Sequence, residues 1–578
     1  MTPPPHIIVL PILIPLIAGA IMLMYDERQR RLKLGLGILA CVLQLGVAIA
    51  LILRAGGSSD LGRNIVTLYL LGDWPSPFGI VLVLDRLSAL MLLLTSVVAL
   101  PALIYAGAGW HRNGQHFNAL FQFLLMGING SFLTGDLFNL FVFFEVMLAA
   151  SYGLLLHGSG RVRVGAGLHY IAVNLLAAML FLLGVALIYG TTGTLNMADL
   201  ATRIPHLSEA DRPMIHAAAA LLSGAFLIKA AMWPLCFWLP NAYGAAAPPV
   251  GAVFSLLTKV GAYVIIRLGL LLFGPVAGES AGFGAQVLAL GGMATMAYGS
   301  LGVLAAQDLG RMTGNLVLVS SGTLLAVVGL AMIYDDAPML TGALYYMFAS
   351  TLGLAALFLL AEPIGRKEEG IAGLLAVTAE IYGLDPEEEE DEPRQEGTAI
   401  PGATALLGMS FLACVLVVAG LPPLAGFLGK FGMLSSAVQR AWSLPGMWGH
   451  WAFVVLLILS GFCTLIALMR WGIQSLWANS DEPPLPVMEA LPILMLVGTV
   501  GLLTVQAEPA LRYIDRTAEA LTENAVYIGG VMTAPPVSPE ALAPEPLTPE
   551  PPPAAAPAPD ASGADPAADG PQAQAELP

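Results

Sequence analysis

The sequence predicts an all-α polytopic membrane protein of about fourteen spanning helices, and three observations carry that expectation. Of 578 residues, 57% are hydrophobic and 11% charged, where a soluble domain carries about a quarter charged residues; mean hydropathy is +0.78. The apolar residues fall in runs of about 20, the length that crosses a bilayer core as a helix. Turn formers separate the runs, as in GSGRVRVG and YDDAP. Unpaired backbone groups cost too much in lipid for such runs to be loops.

In chain order the runs lie near 5–25, 33–54, 78–107, 116–135, 136–157, 165–190, 213–240, 248–274, 284–305, 312–333, 339–361, 404–434, 450–476 and 487–506. The first, MTPPPHIIVLPILIPLIAGAIMLM, lacks a basic leader and a small-residue cleavage site, so it is expected to stay as a span. Lys and Arg concentrate in alternate loops: DERQRRLK, GWHRNGQH, GSGRVRVG, QDLGR, the 362–400 segment and MRWG. Those loops are expected to be cytoplasmic, with both termini extracytoplasmic and the chain multi-pass in the cell (inner) membrane.

The net charge of −16 is local. Residues 362–400 hold 12 acids and 3 bases, residues 507–578 hold 11 acids and 2 bases, and the remaining body is about neutral. The run GLDPEEEEDEPRQEG should be solvated and disordered. From about Pro535, PEPLTPEPPPAAAPAPD has a composition that cannot bury a core. Between the last span and that tail, EPALRYIDRTAEALTENAV has helical spacing suited to a membrane surface or a neighbour. The expected organisation is a transmembrane domain over 1–506, an acidic cytoplasmic loop at 362–403, an amphipathic helix at 507–530 and a disordered acidic tail at 531–578. No basic footprint for nucleic acid exists. Cys41, Cys236, Cys414 and Cys463 stand alone in apolar runs, with no CxxC spacing for zinc or iron–sulfur. No cofactor and no metal are expected.

The charges inside the spans are the informative ones. FLTGDLFNLFVFFEVMLAASYGLLLHG, Phe132 to Gly158, reads as apolar helix with Glu145 near its middle, where an ionised acid costs about 2.5 kcal/mol or more. Of five lysines, Lys33 and Lys367 are placed in loops, whereas Lys229, Lys259 and Lys430 fall inside spans. A buried lysine can give up its proton, and arginine stays charged. Three such bases and one acid are the parts of a proton relay. The rival reading is a static Glu145–Lys229 ion pair locking two helices; it leaves Lys259 and Lys430 unexplained, and buried pairs stabilise little over apolar residues. Asp85–Arg86 are a weaker case, placed at the outer interface.

Prolines sharpen this. Pro234 follows Lys229 by five residues, and Pro422 and Pro423 precede Lys430 by eight and seven. Each should break its helix in mid-membrane, which is tolerated where the freed backbone lines a polar cavity or is buried in protein. The breaks fall in spans seven and twelve, five spans apart and running in opposite directions. That is the placement of two inverted five-helix repeats, about 116–274 and 284–476.

DLFNLFVFFEVMLAASYGLLLHG, LIKAAMWPLCFWLPNAY, VAGLPPLAGFLGKFGML, PPVGAVFSLLTKVGAYVIIR and AAQDLGRMTGNLVLVSSG resemble the antiporter-like membrane subunits shared by respiratory complex I and Mrp-type cation/proton antiporters. The likeness spans roughly residues 5–505 and is greatest to the D-type subunit of Mrp (Mnh or Pha) antiporters. It implies fourteen helices in two inverted five-helix units with the seventh and twelfth interrupted. It also implies a Glu on the fifth pairing with a Lys on the seventh, and lysines on the eighth and twelfth: Glu145, Lys229, Lys259 and Lys430. Many relatives carry further histidines and a lysine in the centre, where this chain has LVLVSSGTLLAVVG and ALYYMFASTLGLAALFLL. A central relay would then use Ser320, Ser321, Thr323, Tyr345, Tyr346 or Ser350 with water.

The function this implies is a transporter subunit, not itself an enzyme, coupling proton influx to efflux of Na+ or another monovalent cation within a hetero-oligomeric complex. The alternative is a proton-pumping subunit of a NADH:quinone oxidoreductase or membrane hydrogenase, whose redox parts would sit on other chains.

Overall fold

A computed structural model describes residues 5–56, 66–382, 402–443, 448–477 and 485–534 of the chain. The acidic run GLDPEEEEDEPRQEG and the Pro/Ala-rich tail lie outside the described residues.

The helices follow the apolar runs: α1 (Leu10–Met24), α2 (Arg30–Gly56), α3 (Arg86–Ala106), α4 (Phe117–Leu133), α5 (Leu137–Leu155), α6 (Arg161–Thr192), α7 (Met197–Arg203), α8 (Arg212–Lys229), α9 (Leu239–Ala245), α10 (Pro248–Phe273), α11 (Ala285–Ala305), α12 (Leu309–Tyr334), α13 (Ala337–Tyr382), α14 (Gly402–Ala419), α15 (Ala425–Ser443), α16 (Trp448–Trp477) and α17 (Val487–Val505), then α18 (Ala507–Thr522) and α19 (Ala525–Met532). Among the described residues, eleven helices are long and apolar enough to cross a membrane, and α1 and α4 are shorter apolar helices.

The all-helical class holds, and several finer expectations are corrected. One short hairpin precedes α3: β1 (Thr67–Leu70) and β2 (Val81–Leu84) pair antiparallel, Thr67 opposite Leu84 and Leu70 opposite Val81. The expected span at 78–107 therefore begins only at Arg86. The cause is local: the Asp85 carboxylate accepts from Ser88 N at 2.9 Å while Ser88 Oγ accepts from Asp85 N at 2.9 Å. This reciprocal cap starts a helix there and nowhere earlier. Asp136 accepts from Asn139 N at 2.9 Å and starts α5, at the boundary expected between the fourth and fifth runs, so Phe132 and Leu133 of the Phe132–Gly158 stretch belong to α4. Farther along the chain, α13 runs on to Tyr382 instead of stopping near 361, so the first half of the expected acidic loop is helical. Lys33, expected in a loop, lies in the first turn of α2, buried and 2.7 Å from Glu27.

The centre is a column of α10, α12 and α13, buried along nearly all the described length of their apolar parts. A helix apolar all round belongs inside. Around it α2, α6, α14, α16 and α17 turn one apolar face outward, with Leu53, Met179, Met409, Phe462 and Leu502 exposed. Across one end lie α18 and α19, two helices where one was expected. They rest on the chain's own neighbours: Arg86 sits over Tyr513 at 5.2 Å, Thr341 donates to Asp515 at 3.0 Å and Asn524 donates to Leu270 O at 2.7 Å.

Candidate functional site

Two interruptions position the buried amines. The seventh apolar run is helical to Lys229, irregular through Pro234, and helical again from Leu239. Its freed backbone groups are met by side chains: Thr295 Oγ1 of α11 accepts from Trp233 N at 2.8 Å, and Ser321 of α12 donates to Ala230 O. The twelfth run stops at Ala419, passes Pro422 and Pro423, and restarts at Ala425, whose N–H donates to Thr504 Oγ1 at 2.9 Å. Gly420 has φ +78, and a Cβ there would lie 2.3 Å from Lys430 Cδ. Only glycine lets the lysine stem cross the break. Both lysines thus meet the C-terminal end of a half-helix, the end whose dipole favours a cation. Lys229 is the last residue of α8, and Lys430 Nζ donates to Ala419 O, the last of α14, at 2.9 Å.

Glu145 and Lys229 line one small cavity of about 10 Å³ walled by Phe141, Phe144, Phe181 and Phe226, room for about one water. They make no direct ion pair: among the described residues no cationic nitrogen lies within 4.0 Å of Glu145. The two charges face each other across that cavity without the direct contact a static lock would make. Lys229 Nζ instead donates to Asn174 Oδ1 of α6 at 2.6 Å and lies 6.0 Å from the Phe144 ring centre. Asn174 is held by its own donation to Tyr170 O at 2.7 Å. It was missed in the sequence, although an amide inside the run YIAVNLLAAM is the kind of signal that singled out Glu145.

Lys259, fully buried on α10, donates to Ser320 Oγ at 2.7 Å, and Ser320 lies 3.0 Å from Ser350 Oγ of α13. One helical turn along α13 from Ser350 is Tyr346, whose ring centre is 5.7 Å from Lys430 Nζ. The line Lys259–Ser320–Ser350–Tyr346–Lys430 therefore runs through the buried column. Thr323 donates to Val319 O of its own helix at 2.8 Å and, with Ser320, also meets the Tyr346 side chain. Two other candidates stand elsewhere: Ser321 serves the helix break, and Tyr345 turns away to Leu503 O of α17 at 3.0 Å. Beside the line, α8 packs on α10 backbone to backbone: a Cβ on Gly261 of α10 would lie 2.8 Å from Ala230 N, next to Lys229.

From one side, a polar vestibule of about 460 Å³ reaches α9, lined by Asn241, Gly244, Gln307, Asp308 and Arg311. Nearby, Tyr243 OH and Trp238 Nε1 are buried with no hydrogen-bond partner among the described residues, a condition that calls for water. Outside this system, Asp85 is not an isolated interface charge. Arg267 grips both its oxygens at 2.7 Å. Burial pushes the Asp85 carboxyl up, but Arg267 and the Ser88 donors outweigh it and hold the group below the usual carboxylate range.

Residues 134–462 match the NADH:quinone oxidoreductase/Mrp antiporter transmembrane family. The chain is 52% identical to the D-type member of a probable K(+)/H(+) antiporter of Rhizobium meliloti, over 92% of its length and 98% of the relative's. It is 33% identical to the D-type member of the Na(+)/H(+) antiporter of Alkalihalophilus pseudofirmus, over 91% and 99%. A chain in the structure of the Mrp complex from Dietzia sp. DQ12-45-1b superposes with a TM-score of 0.73 at 26% identity, covering 92% of this chain and all of that one.

Proposed function

The chain belongs to the NADH:quinone oxidoreductase/Mrp antiporter family as an Mrp antiporter component of the D type, and from that premise we propose that it carries protons along a relay of buried amines. It is a membrane subunit of a cation/proton antiporter and works within a multisubunit complex. The relay starts at the vestibule beside α9, on the Lys/Arg-rich side read as cytoplasmic, and passes Tyr243 and Trp238 to Lys229. Glu145, one water away, sets the charge that Lys229 meets. Asn174 holds the amine in place. The path then crosses to Lys259 and runs through Ser320, Ser350 and Tyr346 to Lys430 and the side of the termini, and proton influx follows it from that end to the vestibule. Coupled groups of this kind gain and lose protons together.

The observation that carries this reading is the hydrogen-bonded run from Lys259 through Ser320 to Ser350, with Tyr346 under Lys430, inside the buried column. In the same reading α1, α4 and the α8–α9 pair are further crossings, making fourteen in two inverted five-helix repeats. The acidic 362–403 segment and the 531–578 tail stand outside the path. The coupled ion is a monovalent alkali cation; one relative is named for K+ and another for Na+, so both belong in the test. Vesicles containing the assembled complex are assayed for cation-driven dissipation of a pH gradient with Na+, K+ and Li+. Glu145→Gln should slow exchange and Lys229→Ala should abolish it. Undiminished exchange in Lys229→Ala, with normal assembly, would sink the relay.

A further inference from the structure

A second cavity, of about 270 Å³, lies among α6, α7, α8, α10, α11 and α12, and the proton path does not use it. Its shape is the first clue. On α8 its wall runs from Ile215 to Leu227, a rise of roughly 18 Å at 1.5 Å per residue. It is therefore a slot parallel to the spans, about as deep as one leaflet of a hydrocarbon core ~30 Å thick. Its lining is the second clue: Ser223 supplies the one hydroxyl among side chains that are otherwise apolar, so water has few partners inside.

The mouth is the third. At the shallow end His216 stacks on Phe283 with ring centres 4.3 Å apart, its Nε2 lies 3.1 Å from Ser280 Oγ, and Arg212 pairs with Glu279. This polar rim marks headgroup depth. Along its flank the slot is lined by exposed Ala220, Ser223 and Val287, which open it sideways to the bilayer. At its deep end it stops on Phe226, the same ring that walls the cavity of Glu145 and Lys229.

We propose that this slot is a binding site for one phospholipid acyl chain, entering from the leaflet on the side of the termini and ending against Phe226. A chain of methylenes matches the slot in direction, depth and polarity, and the surrounding leaflet supplies it at high local concentration. The occupant would brace Phe226, and with it the apolar wall beside Lys229.

The test uses the whole complex in vesicles of phosphatidylethanolamine and phosphatidylglycerol, doped with a phosphatidylcholine bearing a diazirine near the end of one acyl chain. After irradiation, adducts are mapped by mass spectrometry. The expected result is adducts on the inward-facing lining, Leu222, Leu268 and Leu272, with their loss in Ala219→Phe, which fills the slot. Adducts on the lipid-facing Ile458 and Phe462 of α16 should be unchanged. Absence of adducts at Leu222, Leu268 and Leu272 in the unaltered protein overturns the proposal, whether a partner helix or nothing occupies the slot, and this reading does not depend on the variant folding. Lys229→Ala should keep the slot adducts while losing exchange, so failure of the lipid site and failure of the proton relay are read separately.

Discussion

Lys259 meets a hydroxyl and no carboxylate: its amine donates to Ser320 Oγ at 2.7 Å, and among the described residues no acid lies within 4.0 Å of it. Any proton it receives has Ser320 and Ser350 as its way onward. A hydrogen bond to a charged group contributes about 1.5–3 kcal/mol, so Ser320→Ala should cut proton-coupled exchange about tenfold or more. Tyr345→Phe is the matched control. It removes a hydroxyl from the same stretch of sequence but one that serves Leu503 O, and vesicle exchange should stay within about twofold of normal. Equal losses in both variants would mean that hydroxyl placement does not matter. Nothing in one dimension separates Tyr345 from Tyr346. They are neighbours about 100° apart on a helix, one facing Lys430 and the other α17.

At the scale of elements, the interrupted helices work because other helices complete them. Thr295 accepts from Trp233 N, Ser321 donates to Ala230 O, and Thr504 accepts from Ala425 N. In lipid no water stands ready to replace them. Thr295→Val and Ser321→Ala should each cost about 1–3 kcal/mol through an unsatisfied buried backbone group, measured as earlier thermal unfolding of the purified complex. Exchange per surviving complex should persist. The prolines announced both breaks, and the structure ends α8 at Lys229 and α14 at Ala419. What prolines could not announce was the caps, because those come from residues more than sixty positions away.

Over the whole molecule, Asp85 and Arg267 tie the start of α3 to the far end of α10, and Tyr527 of α19 stacks under the same guanidinium at 5.0 Å. Removing one member of a buried pair costs about 3–5 kcal/mol, so Asp85→Asn should lower stability by that order at neutral pH. The sign with pH is set by the depressed carboxyl. Its contribution is full above the ordinary carboxylate range near ~3.9 and is lost as pH falls through the lower folded value. Chemical unfolding from neutral pH downward should therefore show the unaltered protein and Asp85→Asn converging in acid. A constant gap between them would mean that the carboxyl is not held low.

The sequence by itself determined the membrane class, the order of the apolar helices, the two interruptions and four ionisable residues within the spans: Glu145, half-buried, and Lys229, Lys259 and Lys430, buried. Each of these is a local property: hydropathy over a span's length, a proline's missing donor, a charge where lipid forbids one. The reciprocal cap at Asp85 and Ser88 was equally local and could have placed the start of α3, but a continuous apolar run hid the short hairpin ahead of it. Tertiary structure alone decided the partners. It put Asn174, and not Glu145, against the Lys229 amine, paired Asp85 with Arg267, and sorted Ser320, Thr323, Ser350 and Tyr346 from Ser321 and Tyr345. The reason is geometric: a hydrogen bond reaches about 3 Å, and which side chains come that close depends on how helices far apart in the chain rotate and cross.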